Sequence, residues 1–186
     1  MNNIYFTSDH HFGHKNIIKF SKRPFENVEE MDEILIQKWN EKINPEDEVY
    51  YLGDLGLCST SKMRKILERL NGKIYLINGN HESAAQGCHT RFEWIKDYYE
   101  LTIKDNDFER GEQLIVLFHY SIREWNASHW GSYHLYGHSH GTLLDDPTSL
   151  SFDIGVDCHN YAPLSYEEVK AIMKTKNWIP PFGKKE

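Results

Sequence analysis

Cysteine and positive charge are scarce in this sequence, and a long apolar run is missing altogether. The 186 residues hold three cysteines, Cys58, Cys88 and Cys158. Their odd number and wide spacing argue against a disulfide framework, and the lack of a Cys-x-x-Cys pair excludes a zinc-finger module. Reduced thiols in a reducing compartment are expected. Nowhere do about 18 apolar residues run together, and Met1-Asn2-Asn3 passes straight into a strand-like stretch without a basic segment and apolar leader. A cytoplasmic protein with no membrane partner is expected. Lys plus Arg total 21 against 28 Asp plus Glu, a formal charge of −7, which disfavours a surface built to track long nucleic acid. A small phosphorylated substrate stays open, because bound metal can supply positive charge locally.

What is plentiful is histidine, 11 residues, a common metal ligand and acid-base group. Apolar residues at 39% and aromatics at 13% suit a packed globular chain, and the length suits a single domain over 1–186. No internal repeat, linker or low-complexity segment interrupts it. Ile4-Tyr5-Phe6-Thr7 reads as a buried strand that ends in Ser8-Asp9-His10-His11. Alternation along a strand would send Asp9 and His11 to one side, where an oxygen and a nitrogen could grip one cation.

That pattern recurs along the chain. Phe12-Gly13-His14 leads into a short helix, and Asn27-Val28-Glu29-Glu30 resembles a capping box opening a helix to about Lys42. A strand Glu48–Leu52 then ends in Gly53-Asp54. A helical stripe of Met63, Ile66, Leu67 and Leu70 precedes a strand Lys73–Ile77 ending in Asn78-Gly79-Asn80-His81-Glu82. Arg91 to Lys96 reads as a short helix, Tyr98 to Ile103 as a strand, and Asp105 to Gly111 as a hairpin turn. The strand Gln113–Phe118 ends in His119, and Ser132–Tyr136 precedes Gly137-His138-Ser139-His140. Leu150 to Val156 is the last strand, before a helix opened by Ser165-Tyr166-Glu167-Glu168. The tail from Pro180 to Glu186 is expected to be loose. Strands alternating with helices predict a partly parallel sheet with helices outside it, and such sheets place ligands beyond the carboxyl ends of strands.

Asp9, His11, Asp54, Asn80, His119, His138 and His140 therefore offer seven oxygen or nitrogen ligands. Four ligands per ion with one shared carboxylate suit two divalent cations about 3.5 to 4 Å apart, the spacing that clamps an in-line displacement at phosphorus. Asp54 is the best bridge. Imidazoles without thiolates favour Mn, Fe, Ni, Co or Zn over Ca.

Asp-x-His, Gly-Asp, Gly-Asn-His, a His after a strand and Gly-His-x-His, in that order, resemble the motifs of the calcineurin-like metallophosphoesterases. Phe12-Gly13-His14, Asn16-Ile17-Ile18 and Arg23-Pro24-Phe25 resemble a group of small bacterial and phage phosphoesterases within it. The resemblance implies an α/β fold, a four-layer αββα sandwich of two mixed sheets flanked by helices. It implies one metal on Asp9, His11, Asp54 and His140 and another on Asp54, Asn80, His119 and His138. Hydroxide bridging the two ions would attack phosphorus, His81 would protonate the leaving oxygen, and Glu82 would orient His81. The family more often has Asp at the position of Glu82, and Leu55-Gly56-Leu57 stands where many relatives carry another carboxylate.

The expected activity is hydrolysis of a small or nucleotide-type phosphodiester. A phosphomonoesterase or nucleotide pyrophosphatase on the same metals is the alternative enzyme, and a non-catalytic metal-binding scaffold the alternative outside enzymes. His14 is read either as a substrate or supporting contact or as a helix-start residue. Arg23, Lys15 and Arg123 are candidate phosphate clamps, Arg23 the best of them. Tyr120, Trp125 and Trp130 are candidates for stacking a base beside the metals, although aromatics more often pack in a core. His10, His89, His129, His134 and His159 are read as structural, and Cys58 as a small buried apolar group.

Overall fold

The computed structural model describes residues 3–181; the expected loose segment from Phe182 onward lies outside them. The first sheet is built from β1 (Ile4–Thr7), β2 (Glu48–Leu52), β3 (Lys73–Ile77), β4 (Phe92–Lys96) and β9 (Leu164–Ser165), in the order β4-β3-β2-β1-β9. The second joins β5 (Tyr98–Lys104), β6 (Glu112–Phe118), β7 (Tyr133–Tyr136) and β8 (Ser151–Asp153) in sequence order. Both sheets are mixed. In the first, β9 runs antiparallel to β1 and the other pairs are parallel; in the second, only the β5–β6 hairpin is antiparallel. The fold is thus α/β, two mixed sheets flanked by helices, of which α1 (Ile17–Phe20) and α4 (Ser83–Gln86) are single turns.

Near-continuous apolar strands occur because the first sheet is covered on both faces. Tyr5, Val49, Tyr51, Ile74 and Leu76 face a core shared with Met31, Leu35 and Trp39 of α2 (Val28–Lys42) and with Met63, Ile66 and Leu67 of α3 (Thr60–Leu67). Phe6, Tyr50, Leu52 and Ile77 project the other way and meet Leu101, Ile115, Leu117, Leu135 and Phe152 of the second sheet. Val169 and Met173 of α5 (Tyr166–Lys174) complete that inter-sheet core. The lysine of α5, Lys170, is tied to Asp105 in the β5–β6 turn at 2.9 Å.

The helix starts follow the capping chemistry with one variation. Ser165 and Glu168 form the full reciprocal box. At α2 the Asn27 side chain accepts from the Glu30 amide, whereas the Glu30 carboxylate accepts from Glu26 N–H, one residue earlier than a box requires.

One element is of a different kind from that expected. Phe92–Lys96 is a strand, not a helix, entered through a 3-10 turn His89–Arg91. Its aromatic and β-branched residues Phe92, Trp94 and Ile95 pair with Ile74, Tyr75 and Leu76 on the open edge of β3, and Arg91 pins the entry by donating to the carbonyls of Leu67, Leu70 and Gly72. Edge pairing and β propensity outweigh the weak helical spacing. The last expected strand is also shorter, Ser151–Asp153. Among the described residues no helix is long and apolar enough to cross a membrane.

The carboxyl ends of β1, β2, β3, β6 and β7 converge at one rim, and the chain past them keeps pairing irregularly. Asp9 N–H donates to Gly53 carbonyl at 3.0 Å, His11 N–H to Asp54 carbonyl at 3.1 Å, and Gly137 N–H to His119 carbonyl at 2.9 Å. A bridge between Ser8 and Gly155 joins the end of β1 to the chain following β8. These backbone bonds hold the polar strand ends of both sheets together.

Candidate metal centre

The rim gathers six of the seven predicted ligands, from four strand ends, into two trios. Asp9, His11 and His140 form one, and Asp54, His119 and His138 the other; within each, the ligand atoms all lie within 4.8 Å of one another. The Asp54 carboxylate stands between them, Oδ2 at 3.4 Å from His11 Nε2 and Oδ1 at 3.7 Å from His119 Nε2. Asn80 joins the second group, its Oδ1 3.1 Å from His119 Nε2.

The backbone at this rim is unusual. Asp9, His11, Asp54, His138 and His140 all have positive φ, between 48° and 67°, a region costly for residues other than glycine and one that concentrates at functional sites. β1 ends at Thr7, so Asp9 and His11 meet because both turn left-handed, and not through strand alternation. His10 between them points into the core, where its Nδ1 lies 2.9 Å from Tyr51 Oη and its ring stacks on Phe12.

Close approach of the loops also requires residues without a side chain. A Cβ on Gly79 would sit 2.4 Å from Asp54 Oδ1, and one on Gly137 would sit 2.3 Å from Asp9 Oδ2. Both glycines are therefore steric requirements of the site.

Hydrogen bonds fix which ligand atoms face inward. His119 Nδ1 lies 2.7 Å from the Leu52 carbonyl, which sets the tautomer that donates there and leaves Nε2 with its lone pair. His140 Nδ1 lies 2.7 Å from Asp157 Oδ2, with the same result. Asp9 Oδ2 accepts from Ser8 Oγ at 2.6 Å and from His138 N–H at 2.9 Å. Asp9 Oδ1 and His11 Nε2 are buried with no hydrogen-bond partner. Buried polar atoms are normally satisfied, and a cation is the partner that would suit an oxygen and an imidazole nitrogen together.

The electrostatics carry the same signature. Burial pushes the Asp9 carboxyl up to about 8, with Ser8 and His140 opposing the shift and Asp153 and Asp54 adding to it. Glu82 is pushed up to about 7 by burial and by Asp54. Burial lowers the pKa of His11, and the nearby His140 and Arg23 lower it further. Burial thus favours uncharged Asp9 and Glu82 carboxyls and a neutral His11, whereas His140, although burial opposes it, is raised by its hydrogen bond to Asp157 and by Asp9.

Of the other expected residues, His81 and His14 stand at the centre. His81 donates its backbone N–H to Asp54 Oδ1 at 2.9 Å, and its ring lies 5.9 Å from that of His11. His14 Nδ1 is 3.3 Å from His11 Nδ1, so His14 touches the site and is not only a helix-start residue. Glu82 does not orient His81. Its Oε1 instead accepts from Gly79 N–H at 3.2 Å and from Leu55 N–H at 3.4 Å, bracing the two loops that carry Asp54 and Asn80.

Arg23 is corrected most sharply. It is buried, and its guanidinium is fully used: Nε donates to Asp157 Oδ1, Nη2 to Asp157 Oδ2 and the Asp9 carbonyl, and Nη1 to the His10 carbonyl and, at 3.5 Å, to Met31 Sδ. No donor is left for a phosphate, so it is a structural clamp under the Asp9–His11 turn. Arg123 lines a cavity with Trp125, Asp146 and Trp178, apart from the ligands, and Lys15 is exposed. Asp157, which joins Arg23 to His140, was not anticipated.

Of the aromatic candidates, Tyr120 reaches the centre, its ring 4.7 Å from that of His138. Trp125 is half-buried and donates to Ser132 Oγ at 3.0 Å. Trp130 packs under Arg110, before the start of β6 and at the opposite end of that strand from His119. His134 and His159 are structural, bonded to backbone atoms of Val116, Ile122 and Asp153.

No family model matches the chain. The uncharacterized protein MJ1445 of Methanocaldococcus jannaschii is 36% identical over 184 residues, covering 95% of this chain and 94% of that one. The Gene 66 protein of Mycobacterium phage L5 is 35% identical over 85 residues, 44% of this chain and 41% of its own length. The crystal structure of AQ665, a protein of unknown function from Aquifex aeolicus, superposes with a TM-score of 0.69 at 21% identity, over 92% of this chain and all of that one. That likeness shows a shared fold. With more than a third of residues identical over nearly the whole of both chains, this protein belongs to the same family as the M. jannaschii protein MJ1445.

Proposed function

We propose that this chain is a dinuclear metal-dependent phosphoesterase of the calcineurin-like type, hydrolysing a small phosphodiester. One observation carries the reading: Asp54, a member of the second trio, turns one carboxylate oxygen toward His119 of its own trio and the other toward His11 of the first. The orphaned Asp9 Oδ1 and His11 Nε2 fit a cation between them. Asp9, His11, Asp54 and His140 would hold one ion, and Asp54, Asn80, His119 and His138 the other. Mn, Fe, Ni, Co or Zn suit this imidazole-rich, thiolate-free set. When bound, such a pair neutralises phosphate charge and activates water for in-line attack.

The chain's own residues supply orientation and a proton. Asp157 and the Leu52 carbonyl lock His140 and His119 with Nε2 inward, the kind of support that sets ligand geometry. His81 is half-buried beside Asp54, His11 and His14, where its ring can give a proton to the departing ester oxygen. Asn80 is exposed at the rim and can hold a phosphate oxygen through its carboxamide. The free thiols of Cys58, Cys88 and Cys158 suit a reducing, cytoplasmic setting.

The test is hydrolysis of bis-p-nitrophenyl phosphate by purified protein loaded in turn with each of these metals. Turnover is expected; on a second diester with a poor, alkoxide leaving group, His81→Ala is expected to retain metal and lose about 10²- to 10⁴-fold in rate, the usual worth of a general acid. Stoichiometric metal without hydrolysis under any of the ions would refute the catalytic reading.

A further inference from the structure

The metal rim continues into a row of aromatic rings on the second sheet. From Tyr120, beside His138, Phe118 lies 5.6 Å away and Tyr98 a further 6.4 Å from Phe118. Tyr120 and Tyr98 are 39% and 40% exposed, so these rings offer accessible faces and are not spent on core packing. Tyr98 in turn forms one wall of an open cavity of ≈ 580 Å³, shared with Ile122, Trp125 and Asn126. The Asn126 carboxamide is oriented by a 2.8 Å bond from Nδ2 to Glu100, and its oxygen remains to accept from a ligand edge. Its ionisable lining is Glu124 and His129, with no lysine or arginine, and the Glu124 carboxylate disfavours a second phosphate there. The matching group is planar and uncharged.

We propose that Tyr120 is the stacking surface for a nucleobase whose phosphate sits at the metal rim, with Phe118 and Tyr98, each tilted about 60° to its neighbour, walling the path beyond it, making the substrate a nucleotidyl phosphoester. The platform rests on the proposed phosphoesterase site for the position of the phosphate. Base-on-aromatic stacking is sequence-tolerant and is worth about 1–3 kcal/mol per base, or roughly 5- to 150-fold in affinity.

Calorimetric titration of the Mn-loaded protein with adenosine 5′-monophosphate and with ribose 5-phosphate, which differ by the base alone, tests this directly. The wild type is expected to prefer the nucleotide by about 5- to 150-fold, Tyr120→Ala to erase most of that preference, and Tyr120→Phe to keep it. Equal affinities, no binding of either compound, or a loss in Tyr120→Ala shared by both would overturn the platform. A base preference without hydrolysis of any diester would count against the phosphoesterase reading alone, and hydrolysis without a base preference against the platform alone.

Discussion

Replacing Asp157 is expected to perturb the proposed metal centre from behind. Its carboxylate accepts three charged or polarised donors: Arg23 Nε at 2.8 Å, Arg23 Nη2 at 2.7 Å and His140 Nδ1 at 2.7 Å. The Arg23 side chain has 0% exposure and that of Asp157 has 7%. Asp157→Ala would leave a buried guanidinium without its counter-charge, a loss of about 3–5 kcal/mol against a typical total stability of about 5–15 kcal/mol. Asp157→Asn keeps the volume and one acceptor oxygen, so the fold is expected to survive with part of that loss. The His140 ring, however, loses its orienting carboxylate. Supports of this kind are worth about 10- to 100-fold in metal affinity, or roughly 1.4–2.7 kcal/mol. Urea denaturation read by tryptophan fluorescence gives the first quantity, and Mn titration by calorimetry the second. Glu33→Gln serves as a control, because its ion pair with Arg69 is exposed on both sides and should cost less than about 1 kcal/mol with no effect on metal. If Asp157→Asn folds and binds Mn as tightly as the wild type, the account of how His140 is held is wrong.

Two further predictions bear on the scaffold. Gly137→Ala should cost several-fold or more in metal affinity while the far ends of the sheets stay folded, since the new Cβ would fall on Asp9 Oδ2; wild-type Mn titration by this variant would contradict the steric argument. Asp105 accepts from the Asp107 amide, Lys170 and Tyr166, bonds that lower its carboxyl to about 2. Because its folded pKa lies below the unfolded value of about 3.9, its contribution is fully present above about pH 4 and is lost as pH falls through about 2. Asp105→Asn should therefore lower stability by about 1–2 kcal/mol at pH 7, with the gap from wild type closing between pH 4 and pH 2 in urea melts; a gap independent of pH would rule this out.

The strand ends were legible because a buried strand that stops at a carboxylate, carboxamide or imidazole is a local signal, repeated at Asp9, Asp54, Asn80 and His119. The sheet assignment of Phe92–Lys96 was not, since the spacing of Phe92 and Ile95 suits a helix as well as an edge strand, and the open side of β3 decided it. Arg23 was misjudged because a sequence shows an arginine near ligands but not its burial; its partner lies 134 residues away at Asp157. Asp157 itself follows the short strand β8 by a few residues in the 3-10 turn Val156–Cys158. A polar residue just past a strand is the same signal that marked the ligands, and applied once more it would have flagged this position. The left-handed backbone at Asp9, His11, Asp54, His138 and His140 has no such signature, because only tertiary packing holds non-glycine residues there.

The central claim is that Asp54 is shared between two cations, and metal stoichiometry tests it most directly. Elemental analysis of purified protein after loading with excess Mn and desalting should give two ions per wild-type chain, with Asp54→Asn losing metal at both positions and losing phosphodiester hydrolysis with it. A single ion in the wild type, or two retained by Asp54→Asn, would contradict the account.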